Sequence, residues 1–194
     1  METSLPIPSL EELTEELARE KRRSQKRSRA ATVICGFFTA LAALILIFAL
    51  WLPTAQIYGN AMAPTLLPGD VIAAVDTGTV APGDIILFSH NNALQVRRVI
   101  AGPGSLVEID SQGLVTVNGQ PLTEPCVSLP NRGQCDISMP YLVPDGCYFV
   151  LGDNRAESID SRSSVMGCVE ESRILGRVFL RLWPLPRFSL LLSQ

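Results

Sequence analysis

Catalysis through a hydroxyl or thiol needs a base beside the nucleophile, and this sequence is short of bases. His90 is its one histidine, set in Ser89-His90-Asn91-Asn92, a polar hairpin-like turn in which an exposed, noncatalytic side chain is expected. Lys21 and Lys26 are its only lysines, both within the first 30 residues. Five cysteines could offer thiol or metal chemistry. No Cys-x-x-Cys pair accompanies them, which leaves a zinc site as the weaker rival and makes neither a metal nor a cofactor the expectation. The polar and small residues gather in three segments: Gly59 to Asp70, Val96 to Gly104 and Gly152 to Arg162.

The elements that must position these segments follow from the apolar pattern. Ala31 to Leu52 carries no charge, and 22 residues of helix extend about 33 Å, enough for a hydrocarbon core of about 30 Å. Residues 31–52 are therefore expected to be a transmembrane helix. A cleaved signal peptide is the competitor, but its apolar region normally spans about 7–15 residues and would lack the long leading segment found here. Lys21, Arg22, Arg23, Lys26, Arg27 and Arg29 stand directly before the span, which by the positive-inside rule keeps residues 1–30 cytoplasmic and exports 53–194. Ser9 and Glu12 form a capping box, and Leu10, Leu13 and Leu17 recur at helical spacing, so a short amphipathic helix is expected there.

The exported region reads as short strands, at Val71–Val75, Ile85–Phe88, Leu94–Ile100, Leu106–Ile109, Leu114–Val117, Cys147–Leu151 and Arg177–Leu182. Asn118-Gly119 and Asp110 to Gly113 are hairpin signals between apolar runs. The fold class expected is mainly β, an antiparallel domain behind a cytoplasmic helix and one membrane helix. Trp183, Phe188 and Leu190–Leu192 either touch lipid headgroups or form a last core strand. Cys35 lies inside the span as a small apolar residue. Cys126, Cys135, Cys147 and Cys168 lie on the exported side, where thiols oxidise, and the pairs Cys126–Cys135 and Cys147–Cys168 are expected from among three possible pairings. The net charge is −3, and the one dense basic run abuts the span, so no nucleic acid is expected as a partner.

The three segments also carry a resemblance. Gly59-Asn60-Ala61-Met62-Ala63-Pro64-Thr65-Leu66 resembles the Gly-x-Ser-Met-x-Pro-Thr-Leu box of type I signal peptidases. Val96-Arg97-Arg98-Val99-Ile100-Ala101-Gly102-Pro103-Gly104 is similar to that family's Lys-Arg-Val-Ile-Gly-x-Pro-Gly-Asp segment, with Ser105 in place of the aspartate. Gly152-Asp153-Asn154-Arg155-Ala156-Glu157-Ser158-Ile159-Asp160-Ser161-Arg162 matches the Gly-Asp-Asn-Arg-x-x-Ser-x-Asp-Ser-Arg box at every specified position. The resemblance covers roughly residues 31–185 and implies a serine–lysine dyad endopeptidase that cuts signal peptides from exported proteins. It implies Ser158 beside the base, Asp153 as charge partner of Arg98, Asp160 with Arg162 in an ion-pair region, Gly59 at the position before which the oxyanion donors gather and Met62 as a supporting residue, although paired charges can also fix a turn and glycine is also a plain turn residue.

In such a dyad a hydroxyl attacks the scissile carbonyl while a neutral lysine takes its proton. The nucleophile position here is Ala61, which has no oxygen, and the base position is Arg97, whose guanidinium does not deprotonate in proteins. No lysine exists beyond residue 26 to substitute. One reading is a homologue that binds signal-peptide-like or surface-fibre precursor segments by strand addition without cutting them. The alternative is an active signal peptidase I. Both place the chain at a lipid bilayer with exported precursors as partners.

Overall fold

The computed structural model describes residues 19, 21, 29, 32–46, 52–127 and 130–191. It divides into two units, Met1–Trp51 and Leu52–Gln194. In the first, residues 32–46 are helical, and Val33, Ile34, Phe37, Phe38, Leu41, Leu44, Ile45 and Leu46 are exposed. Thr39 Oγ1 donates to the Cys35 carbonyl at 2.8 Å, so its hydroxyl is satisfied within the helix. Among the described residues no helix is long and apolar enough to cross a membrane. The described helix accounts for about 22 Å at about 1.5 Å per residue, Leu52 is already a bend, and positions 31 and 47–51 of the expected span lie outside the described residues. So do the capping box at Ser9 and the helix expected to follow it.

The second unit is mainly antiparallel β. Its larger sheet has eight strands. They are β1 (Thr54–Gln56), β2 (Val71–Val75), β3 (Ile85–His90), β4 (Ala93–Ala101), β9 (Cys147–Leu151), β10 (Val169–Glu170), β11 (Ile174–Trp183) and β12 (Ser189–Leu190), ordered β1-β2-β11-β3-β4-β9-β10 with β12 on β11. The smaller has four: β5 (Leu106–Ile109), β6 (Val115–Val117), β7 (Gln120–Pro121) and β8 (Tyr141–Leu142), ordered β7-β6-β5-β8. Asn91 and Asn92 turn β3 into β4, and Asn118-Gly119 turn β6 into β7, each pair with positive φ at both residues, the geometry of a two-residue primed hairpin. Asp110 Oδ1 accepts from the N–H of Gln112 and of Leu114, so the third expected turn closes on its own aspartate and β6 begins one residue late.

The large sheet is covered on both faces. Ile85 and Leu87 pack with Ile57, Met62 and Leu66. The intervening Ile86 and Phe88 pack with Tyr148, Val150 and Met166. Successive strand residues face opposite ways, so burying both sets turns β3 into a continuous apolar run instead of an alternating one. A separate cluster around Val107, Ile109, Phe149 and Leu151 joins the small sheet to β9.

The cysteine expectation is corrected, for all five thiols are free. Cys147 and Cys168 hydrogen-bond each other unlinked. Cys126 sits near Asp153, Arg98 and Glu124, while the Cys135 thiol faces the Ile137 carbonyl at 4.0 Å. At the C-terminus, Leu190 pairs with Leu180 of β11, and Leu191 packs against the core that holds Met62. Trp183, Phe188 and Leu190 nevertheless stay exposed, so the tail is a strand whose large side chains face outward; Leu192 lies outside the described residues.

Candidate active-site cleft

The first segment leaves β1 and turns back towards β2. Gly59 makes the turn with φ +77°, and Met62 and Leu66 anchor it in the core, leaving Ala61 half-buried at its apex. The second segment lies on β4, where Arg97 and Arg98 are successive and buried. The third is the loop after β9. Ala61 and Arg97 line one cleft of about 260 Å³, together with Tyr58, Met62, Leu94 and Gln95.

Contacts with the third segment hold the other two in place. The Asn154 N–H donates to the Ala61 carbonyl at 3.0 Å. Thr65 Oγ1 donates to Asp153 Oδ2 at 2.5 Å, and Arg98 meets both oxygens of that carboxylate at 2.8 and 2.7 Å. Burial works against the Arg98 charge, but the hydrogen bonds and charge of Asp153 outweigh it and leave the guanidinium pKa above its ordinary value. Asp160 takes the Nε and Nη2 of Arg162 at 2.8 and 2.9 Å and accepts the Gly152 N–H at 3.0 Å. Arg162 then reaches the carbonyls of Asn131, Arg132 and Arg155, so a fully buried pair fixes the loop from inside.

Arg97 takes a different course. Its Nε and Nη2 both donate to the Ile159 carbonyl, at 3.1 and 2.8 Å, and its Nη1 to the Val96 carbonyl at 2.6 Å. Burial lowers its pKa, with Asp160 acting in the opposite sense, yet a guanidinium remains a cation and no proton acceptor. Ser158 Oγ is buried without a hydrogen-bond partner. Its side chain and the Ala61 carbonyl press on the same side of Gly152, where a Cβ would overlap both. The cleft can therefore hold and orient a chain, but of the residues expected at its centre none brings a nucleophile and an acceptor together. His90 Nε2 is engaged with Asn91 Nδ2 at 3.0 Å, within its own hairpin.

Four participants were not singled out in the sequence. Asn154 and Ile159 act through the main chain, which leaves no side-chain signal. Thr65 and Gly152 stood within the quoted segments, and their signals were a hydroxyl and a missing Cβ.

A mainly β antiparallel unit carrying these segments defines a class, and comparison with known proteins identifies it. The chain belongs to the family described as signal peptidase, peptidase S26, whose model matches residues 30–183. Among its relatives is the probable signal peptidase I-2 of Synechocystis sp., 34% identical over 92% of this chain and 86% of that protein. Signal peptidase IB of Staphylococcus aureus is also 34% identical, over 69% of this chain and 78% of that protein. A solved signal peptidase I from Enterococcus faecalis is 29% identical with a TM-score of 0.41, covering 51% of this chain and 96% of that one.

Proposed function

We propose that this chain is a membrane-anchored family member that holds signal-peptide-like segments of exported precursors, surface-fibre precursors included, in the cleft beside Ala61 without cutting them. The observation that carries this reading is the pair at the cleft's centre. Ala61 offers a methyl group, and Arg97, across the same cleft, gives three of its five donors to main-chain carbonyls and none to Ser158 Oγ, which has no partner.

Binding needs no dyad. The register of β9 on β4 runs only from Arg98 to Ala101, so among the described residues Ala93–Arg97 pair with β3 alone. An extended segment could add there as a strand, its main chain supplying the hydrogen bonds and its alternate side chains entering the cleft. The apolar helix at 32–46 and the six basic residues before it support an anchor with residues 1–30 cytoplasmic and 53–194 outside.

The names of the relatives favour a second reading, an active signal peptidase I that removes signal peptides from exported proteins. Purified full-length protein in detergent, incubated with a signal-peptide substrate and followed by mass spectrometry, separates the two. Bound but uncut substrate is the result expected. Cleavage at a defined site would establish the second reading.

A further inference from the structure

Arg97 is the exception among the buried arginines of the β unit. Arg98, Arg155 and Arg162 each meet a carboxylate, respectively Asp153, Glu124 and Asp160. Among the described residues none lies within ion-pair reach of Arg97; Asp160, the acid that acts on it through space, is already held at two points by Arg162. The three hydrogen bonds of Arg97 all go to main-chain carbonyls. A guanidinium carries five N–H groups, so donors remain on both terminal nitrogens. A buried cation without a counter-charge is costly, and the cost is recovered by whatever anion enters its reach.

That cation faces a cleft shared with Ala61, beside the half of β4 that among the described residues has no strand on its second side. Resting on the reading of this cleft as a peptide groove, we propose that its occupant is an extended peptide bearing a carboxylate where the chain passes Ala61, and that this carboxylate forms with Arg97 the ion pair the protein does not supply. Two sources share the chemistry: an Asp or Glu side chain within the segment, or the free C-terminal carboxylate of a peptide that ends there. A wholly uncharged segment leaves Arg97 unpaired and binds more weakly.

The test is fluorescence anisotropy with full-length protein in neutral detergent and labelled peptides of one sequence. One pair carries Asp or Asn at the position passing Ala61, and the other ends there as free acid or amide. At least one carboxylate peptide should bind about tenfold more tightly than its uncharged counterpart, the gain of a charge-assisted, two-point contact. The pair that shows the difference identifies the source. The preference should shrink as salt rises, vanish in Arg97→Gln and persist in Arg97→Lys, which keeps the cation should the glutamine variant fold poorly. Equal affinities within both pairs would overturn the inference while leaving the groove standing, as would a preference undiminished in a folded Arg97→Gln. Failure of every peptide to bind would overturn the inference and the groove reading together.

Discussion

Arg98 and Asp153 meet edge to edge, Nε to Oδ1 at 2.8 Å and Nη2 to Oδ2 at 2.7 Å, with both residues buried. The same Asp153 Oδ2 accepts the Thr65 hydroxyl, so one carboxylate joins the turn that carries Ala61, the strand that carries Arg97 and the loop that carries Ser158. Asp153→Asn keeps the shape but removes the charge and leaves Arg98 uncompensated, a loss of about 3–5 kcal/mol for a broken buried pair. Urea unfolding measures it. A change below about 1 kcal/mol would show the pair to be incidental.

Gly152 is where this loop crosses the turn. A Cβ there would stand 2.5 Å from Ser158 Cβ and overlap the Ala61 carbonyl oxygen. Neither is the free end of a flexible chain. Gly152→Ala should therefore destabilise by about 1–3 kcal/mol, as overpacking does, and should also shift peptide affinity by displacing Ala61. Ser158→Gly made in the same background should recover part of the stability; no recovery would place the clash elsewhere.

The Cys147 thiol predicts a pH dependence. Burial, with the hydrogen bond to Cys168 second, raises its pKa from 9.0 to about 11. The fold thus favours the neutral thiol. Its contribution to stability is complete below the unfolded pKa and is lost as pH rises through the folded one, so the decline belongs between about pH 9 and pH 11. Thiolate absorbance should show a group ionising near pH 11 that disappears in Cys147→Ser, while Cys126, whose pKa burial also raises, keeps its own late ionisation. If Cys147→Ser leaves the titration curve unchanged, the late group is not Cys147.

The proposed non-cleaving reading can be tested by supplying at the cleft centre the serine and lysine that the resemblance implies. Ala61→Ser alone places a hydroxyl beside a permanent cation, and Arg97→Lys alone creates a base with nothing to activate. Residues acting as one catalytic unit are strongly non-additive, so cleavage of a signal-peptide substrate should appear only in the double variant. Its recovery stays partial if the pocket fails to desolvate the new ammonium enough to neutralise it. Turnover by Ala61→Ser with Arg97 in place would sink the non-cleaving proposal.

Most of the strand positions were legible because a strand is a local property. Val71–Val75, Leu106–Ile109 and Cys147–Leu151 are apolar runs closed by turn residues, and the structure gives the same bounds. Asn118-Gly119 turned the chain for the same reason, positive φ being a preference of single residues. β3 runs past its apolar run to Ser89 and His90, because pairing with Leu94 and Ala93 of β4 extends the ladder beyond the residues that favour it, whereas β11 starts earlier than expected, at Ile174, across Gly176.

The sequence by itself determined which side chains exist at the cleft: no lysine after residue 26, a methyl group at 61 and a guanidinium at 97. Only the tertiary structure decided where that guanidinium turns. Arg97 and Ile159 are 62 positions apart, and Arg98 and Asp153 are 55 apart. Their meeting depends on the register of β4 against β9, which no window of neighbouring residues encodes. The same holds for Cys147 and Cys168: composition could pair them, but only the packing of β9 beside β10 brings them together as free thiols, with burial raising the pKa of Cys147.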